Sequence, residues 1–219
     1  MTYDTSYLAI DYVNYIKQLQ RHIKHESHAL KVARALDMKV RMGILNRSYL
    51  VEGADACIVV QPWWYGNSDM VRHEVAHVML WWSGLEAEVI EEFGPELGWK
   101  VVENLCHHAI AFLRCTQPMV DEAVKRYGVT SRAGLHLRKL SGAPPEMAMR
   151  RLVYDDPREL RAGFILIGDR VSEVAQCNWS LPFGWLEYVP KPRIWFPEDA
   201  NVSMSKLSGG GSVLGVCWG

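Results

Sequence analysis

The first sixty or so residues change from a helical to a strand-like pattern of hydrophobic positions. Over residues 7–36 apolar side chains recur every three or four positions, with a break at residues 26–27, and this pattern predicts two helices. Over residues 38–62 the period shortens towards two, and the turn-prone residues Asn46 and Gly53 separate the apolar runs. We expect these runs to form a small antiparallel sheet.

A helical pattern returns after Asn67, with recognisable signals at both of its ends. Ser68 can cap the helix, Asp69 would lie in the first turn and complement the helix dipole, and Gly84 suits the position after the last turn. These signals predict one helix over residues 69–83.

Helical segments continue to about residue 153, divided by glycine and proline. We expect a helix over residues 95–114 and three shorter helices over residues 119–127, 131–140 and 145–153. A glycine turn separates the first two of the short helices, and a threonine or serine can cap the second of them, which is typical of a helix-turn-helix.

The composition changes after Tyr154, where prolines become frequent and the helical period is lost. Residues 164–167, 186–189 and 194–196 are predicted as short strands. The fold class expected from the whole pattern is α+β. Three parts are predicted: a metallopeptidase-like domain over residues 1–118, a helix-turn-helix-like segment over residues 119–153 and a small β-rich module over residues 154–219.

Charge and composition narrow the class of protein. The chain of 219 residues is 49% hydrophobic and has a formal net charge of −1, which excludes disordered and collagen-like proteins. This total conceals a local balance of −5 over residues 84–104 and of +6 over residues 123–151.

The cysteines and the N-terminal residues indicate the cellular compartment of the protein. The five cysteines form no CxxC pair, and the N-terminus lacks the charged and apolar regions of a secretion signal. No apolar run approaches the roughly 18 residues that a membrane span needs. We expect a cytoplasmic protein in a reducing compartment, without a membrane partner.

The most specific motif is HExxH, formed by His73, Glu74 and His77 within the predicted helix 69–83. Histidines four positions apart lie on one face of a helix, so both imidazoles can bind one metal ion at about 2.0–2.1 Å, with Glu74 facing the attacking water. In a random chain of this composition the motif would occur about 0.02 times. The alternative interpretation is a pair of half-buried core histidines with a solvated glutamate.

A catalytic zinc ion normally has three protein ligands, so a third ligand has to come from another segment. Ser83 stands where a longer form of the motif would place another histidine, which leaves the carboxylates of residues 84–104. Glu103 lies 26 residues beyond His77, which allows a turn and an antiparallel return helix. We predict Glu103 as the third ligand, the alternative being an ordinary exposed helix glutamate.

Three further residues are weaker candidates. His107 is one helical turn beyond Glu103, and His108 follows it; either could be an alternative ligand, a donor to a ligand or a stabiliser of the tetrahedral intermediate. Tyr65, just before the motif helix, could donate a hydrogen bond to an oxyanion. Polar surface residues without a role are the alternative for all three.

This chemistry is that of peptide hydrolysis with zinc, or with manganese, as the cofactor. Glu74 would take a proton from water and pass it to the leaving amine, while the metal polarises the carbonyl. Residues 57–61, if they form the edge of the sheet beside the cleft, could hold an extended substrate as an added strand.

The sequence resembles the ImmA/IrrE family of metallopeptidases, a gluzincin-type group. The resemblance depends on a strand ending in Ile58-Val59-Val60, on the HExxH motif, on the segment Glu103-Asn104-Leu105-Cys106-His107-His108-Ala109-Ile110-Ala111-Phe112-Leu113, and on Pro144-Pro145-Glu146-Met147-Ala148-Met149-Arg150-Arg151-Leu152. Cys106 and His107 stand where the family favours Ala-Asn. The resemblance implies a zincin-like fold, His73, His77 and Glu103 as metal ligands, and Glu74 as the base.

Members of this family typically cleave a helix-turn-helix repressor, which derepresses mobile-element genes or a DNA-damage response. The resemblance therefore implies a metalloendopeptidase whose partner is a DNA-binding repressor. The second hypothesis is a DNA-binding regulator with a structural or vestigial metal site, in which basic residues such as Arg132 and Arg138 contact DNA. Direct DNA contact is the less favoured of the two, and a structural site would have no use for Glu74.

Overall fold

The computed structural model describes residues 7–50, 53, 55–208 and 211–219, which form a mixed α+β protein. The chain divides into two compact units, Ser6–Gln117 and Pro118–Gly219. The segments 119–153 and 154–219, separated in the sequence-based division, fall within the same compact unit.

The first unit combines four helices with a three-stranded sheet. Its elements are α1 (Tyr7–His22), α2 (Ala29–Ala35), β1 (Lys39–Met42), β2 (Arg47–Tyr49), β3 (Cys57–Val60), a short 3-10 helix (Pro62–Trp64), α3 (Asp69–Trp82) and α4 (Leu85–Arg114).

The two helices predicted before the sheet are confirmed, and local hydrogen bonds explain the break between them. Lys24 and His25 have positive φ angles of 55° and 57°, which end the helical path. A carboxylate oxygen of Glu26 then accepts hydrogen bonds from the backbone N–H groups of Ser27 and His28 at 2.9 and 2.8 Å.

The sheet is mixed, so the prediction of an antiparallel sheet is wrong. The strand order is β1-β3-β2, with β1 parallel and β2 antiparallel to β3. Strand β3 is free of charge and buries Ile58 and Val60 completely, which favours the centre of the sheet. The charged strands β1 and β2 lie at the edges. Residues 57–60 are therefore central and cannot add an edge strand.

Helix α3 carries the HExxH motif and has the predicted ends to within one residue. The backbone N–H of Val71 donates to Ser68 Oγ at 3.2 Å, as expected of an N-cap, and Gly84 has the left-handed φ of 80° that ends the helix.

Helix α4 begins ten residues earlier than predicted. Gly94, at φ 74° and ψ 166°, interrupts its helical path just before Pro95, in a conformation that only glycine adopts easily. Leu85 and Val89 are buried on the N-terminal side of this kink. Their burial stabilises this helical segment. The sequence does not predict it, because a glycine followed by a proline usually ends a helix.

The second unit packs helices on a four-stranded sheet. Its elements are α5 (Gln117–Tyr127), α6 (Ser131–Ser141), α7 (Pro145–Val153), β4 (Arg161–Ile167), β5 (Arg170–Cys177), a short 3-10 helix (Pro192–Trp195), β6 (Asn201–Lys206) and β7 (Ser212–Trp218). The sheet is antiparallel, in the order β5-β4-β7-β6.

The three short helices of this unit are confirmed to within two residues, whereas two predicted strands are wrong. Residues 186–189 contain Leu186 at φ 67°, which interrupts an extended path. They form one isolated bridge and three backbone hydrogen bonds with residues 169–171 but are not a strand. Residues 194–196 follow Pro192, which opens the 3-10 helix instead. Strands β5, β6 and β7 were not predicted.

Helix α7 packs on one face of this sheet, and the loop over residues 178–200 covers the other. Met149 and Val153 of α7 contact Ile165 and Leu214 on the first face. Phe164, Phe183 and Phe196 are clustered on the opposite face, with ring centroids 5.0–6.1 Å apart. The β-rich character expected after residue 154 is thus present.

The state of the cysteines and the lengths of the helices can be compared with what the sequence predicts. All five cysteines are free. Among the helices of the described residues, none has the length and hydrophobicity needed to cross a membrane.

Candidate metal centre

Helix α3 places His73 and His77 on one of its faces, one turn apart. Their Nε2 atoms are 3.1 Å apart, and the two rings meet edge to face with centroids 4.7 Å apart. His73 is buried, and His77 is half-buried. Val71, Val75 and Val78, all fully buried, anchor the helix from behind.

Helix α4 brings Glu103 to the two histidines. Its Oε2 lies 3.3 Å from His73 Nε2, and its Oε1 lies 3.3 Å from His77 Nε2. The ligand atoms of the three residues all lie within 4.8 Å of one another. The three residues predicted as ligands therefore lie together in the structure, although they are spread over 31 residues of the chain.

The spacing of the donor atoms is compatible with a metal ion held in tetrahedral geometry. With metal–ligand bonds of about 2.0–2.1 Å, neighbouring donors in a tetrahedron lie about 3.3–3.4 Å apart. The two Nε2 atoms are 3.1 Å apart, and each lies 3.3 Å from a different oxygen of the Glu103 carboxylate, which are separations close to this value. Two nitrogen donors and one carboxylate form the ligand set of a catalytic zinc ion, with a fourth position left for water.

Both histidines have the protonation state that a metal ligand needs. Burial, together with the neighbouring His77 and His107, lowers the pKa of His73 to about 4, and burial also lowers the pKa of His77. Both imidazoles are therefore neutral at pH 7, with a lone pair available. The buried Nδ1 of His73 has no hydrogen-bond partner among the described residues.

Contacts between helices hold the ligands in place. The hydroxyl of Tyr12, buried in α1, donates to the backbone carbonyl of Ala76 in α3 at 2.6 Å. The carboxylate of Asp69, at the start of α3, accepts from Arg72 at 3.0 Å and from Arg114, at the end of α4, at 2.6 Å. The two helices that supply the ligands are thus joined at the ends opposite their connecting turn.

Glu74 lies buried beside the ligands. Its Oε2 accepts a hydrogen bond from Ser48 Oγ at 2.8 Å, and burial raises the pKa of its carboxyl group. Negative charge on Glu103 raises this pKa further, although less than burial does. A carboxyl group with a raised pKa, close to a metal site, is suited to accept and return a proton.

The three weaker candidates differ in their positions. The ring of His107 lies 4.4 Å from the ring of His73, and His107 is exposed on the same face of α4 as Glu103. His108 packs its ring against Phe112 at 5.3 Å. Tyr65 is exposed after the 3-10 helix, and its side chain makes no hydrogen bond within the described part of the chain. His107 is thus in ring contact with one of the predicted ligands.

Sequence reasoning missed Ser48. A single serine in a three-residue strand, 26 positions before Glu74, belongs to no motif and has no periodic signal. Only the packing of β2 against α3 reveals its contact with the candidate base.

The second helix of the helix-turn-helix-like segment, α6, begins against the sheet of the second unit. Ser131, Ala133 and Gly134 at the start of α6 are buried, and Ser131 Oγ lies 2.8 Å from the hydroxyls of Ser203 and Ser205 in β6. In a helix-turn-helix the start of the second helix contacts the bases. Here this surface packs on the sheet of its own unit.

Comparison of the sequence with models of known protein families and with curated proteins finds no match. The geometry of the site and the resemblance described above therefore carry the functional argument.

Proposed function

We propose that this protein is a zinc-dependent endopeptidase with a zincin-like core, for which manganese is the alternative metal. The observation that carries the proposal is the convergence of His73, His77 and Glu103 from two helices, with the buried Glu74 carboxyl beside them. Zinc is favoured over manganese because the donors include two imidazoles at tetrahedral spacing, whereas manganese prefers oxygen-rich octahedral sites.

The chain's own residues supply the acid–base steps. A divalent ion held by the three ligands would lower the pKa of its water and polarise the scissile carbonyl. Glu74 takes the proton of the attacking water and delivers it to the leaving amine. His107, beside His73 on the exposed side of α4, is placed to donate a hydrogen bond to the carbonyl oxygen as it gains negative charge.

The substrate that we propose is a helix-turn-helix repressor, whose cleavage derepresses mobile-element or DNA-damage-response genes. The resemblance to the ImmA/IrrE family supports this class. The acidic residues of α4 also favour a basic, DNA-binding substrate over an acidic one. Such a substrate lies in the cytoplasm, and the five free cysteines are in keeping with a reducing compartment.

The alternative of a DNA-binding regulator with a vestigial site is not favoured. It gives no role to Glu74, and it requires the start of α6 to reach DNA although these residues pack on β6.

The direct test combines metal analysis with a cleavage assay. The zinc-loaded protein is incubated with a proteome-derived peptide library, and new N-termini are identified by mass spectrometry. We expect specific cleavage by the wild type and none by Glu74→Gln, at an unchanged zinc content. A zinc-loaded wild type that produces no new N-termini, or a Glu74→Gln variant that is equally active, would refute the proposal.

A further inference from the structure

Ser48 is the one residue of strand β2 whose side chain turns towards α3. It pairs with Ile58 in the antiparallel register of β2 and β3 and is half-buried, whereas its neighbours Arg47 and Tyr49 are exposed. Side chains alternate between the two faces of a strand, so residues 47 and 49 point away from the helix. The edge strand thus presents one hydroxyl group to the HExxH helix.

This hydroxyl contacts Glu74 at two points. Ser48 Oγ lies 2.8 Å from Glu74 Oε2 and 2.9 Å from the backbone carbonyl oxygen of Glu74. The single hydroxyl proton is donated to one of these acceptors or shared between them, and the bond to Oε2 restricts the rotamers of the Glu74 side chain. The backbone of Ser48 also forms a hydrogen bond to the Glu74 carboxyl group, so the same strand residue holds this group through its side chain and its main chain.

We propose that Ser48 is a positioning residue that holds the Glu74 carboxylate in its reactive orientation. This inference rests on the proposed function, because the orientation matters only if Glu74 transfers a proton. The ionised carboxylate accepts a hydrogen bond from Ser48. Once Oε1 has taken a proton from water, Ser48 keeps its own proton and still donates to Oε2, so that Oε1 can pass its proton to the amine.

The position of Ser48 predicts which kinetic constant depends on it. Its hydroxyl contacts the base, and its strand lies behind the carboxylate, so we expect it to affect proton transfer and not substrate binding. Loss of a hydrogen bond that orients a ligand at a metal site typically costs about 10–100-fold in metal affinity or activity, and we expect a similar factor for the orientation of the base. We therefore expect Ser48→Ala to lower kcat by about 10–100-fold with little change in KM or zinc content.

The kinetic test uses the full-length, zinc-loaded protein and the library peptide that the wild type cleaves fastest. Ser48→Thr keeps the hydroxyl on a residue suited to a strand and should restore most of kcat. The matched control is Ser172→Ala, because Ser172 is also a strand serine whose hydroxyl donates to a backbone carbonyl, that of Ile165. A kcat unchanged in Ser48→Ala, or an equal loss in Ser48→Thr, would overturn the proposal.

A second readout does not depend on activity. Crystal structures of the wild type and the two Ser48 variants locate the Glu74 carboxylate directly. We expect it to move by more than about 0.5 Å, the tolerance of catalytic geometry, in Ser48→Ala but not in Ser48→Thr. If Ser48→Ala does not fold, Ser48→Cys replaces it, since a thiol is a weaker donor of similar size.

The two readouts separate the failure of this inference from the failure of the proposed function. A wild type that cleaves nothing refutes the peptidase. The crystal structures then decide whether Ser48 holds Glu74, and an unmoved carboxylate in Ser48→Ala refutes that as well.

Discussion

Glu103 is the residue whose removal most directly tests the metal centre. Its carboxylate oxygens lie 3.3 Å from the Nε2 atoms of the two histidines. Loss of a hydrogen bond to a metal ligand lowers the metal affinity by roughly 10–100-fold. Glu103→Gln removes a ligand itself, so we expect it to lower the affinity for zinc by well over this factor. The affinity is measured by competition with a chromophoric chelator.

The matched control is Glu96→Gln, on the same helix. Glu96 is almost fully exposed and pairs only with Lys100, at 3.7 Å, among the described residues. Its replacement should leave zinc affinity unchanged. Equal affinities in the two variants would remove Glu103 from the site.

The lowered pKa of His73 predicts how the metal-free protein responds to acid. The unfolded pKa of histidine is about 6.5 and the folded value is about 4, so the unfolded state binds more protons between these values. The corresponding stability is present above pH 6.5 and is lost as the pH falls through about 4. Glu74, with a raised pKa, has the opposite effect, since its contribution grows as the pH falls.

The measurement is therefore made in the Glu74→Gln background, which removes the opposing contribution. Free energies of unfolding in urea are compared at pH 7 and pH 4.5 for the metal-free protein. Adding His73→Gln should make the loss of stability on acidification smaller. Parallel pH profiles with and without His73 would show that this imidazole is not held neutral in the fold.

At the level of single residues, sequence reasoning found what a local motif encodes. His73, Glu74 and His77 are fixed by the period of one helix, and Glu103 follows from counting a turn and a return helix. Ser48 and the ring contact of His107 with His73 depend on packing between distant segments. Such contacts leave no mark on the spacing of residues in the chain.

At the level of helices and strands, Asp69 connects the two helices that supply the ligands. It joins Arg72 and Arg114, and the side chain of Arg72 is only 3% exposed. Asp69→Asn removes a charged partner from a buried guanidinium, so we expect a loss of about 1–3 kcal/mol in the free energy of unfolding. Urea denaturation at pH 7 measures it.

The exposed pair of Glu96 and Lys100 again provides the comparison. Surface pairs of this kind contribute little, so Glu96→Gln should unfold at the wild-type urea concentration. If Asp69→Asn were no less stable than Glu96→Gln, the link between α3 and α4 would have no energetic importance.

The accuracy of the predicted elements follows the strength of their local signals. Ser68 and Gly84 define both ends of α3 because caps act through adjacent backbone groups. The prediction of an antiparallel first sheet was wrong because β1 runs parallel to β3, and the alternation of apolar residues within a strand does not encode the direction of its pairing. In the second unit, residues 186–189 and 194–196 were predicted as strands from their apolar residues, but Leu186 has a φ of 67° and Pro192 opens a 3-10 helix over Pro192–Trp195.

On the scale of the whole molecule, the net charge is −1, but acidic residues are concentrated on one helix. Glu86, Glu88, Glu91 and Glu92 lie on α4 before the kink at Gly94, on the helix that also carries Glu103. Glu92 also accepts a hydrogen bond from the Tyr7 hydroxyl at 2.6 Å, so its carboxylate has a fixed direction. The sequence shows the charge, and the structure shows that one helix carries both the charge and the third ligand.

A basic substrate should be attracted to this helix before it reaches the metal centre. Replacing the four glutamates by glutamine should slow the cleavage of a lysine-rich peptide by about 10-fold at low salt, since steering acts on the association rate. At about 1 M salt the Debye length falls to roughly 3 Å and the two rates should converge. Neutralising Glu159, Glu198 and Asp199 of the second unit, and assaying a peptide without basic residues, are the controls. A fourfold variant as fast as the wild type at low salt would show that these carboxylates serve only to solvate the surface of the helix.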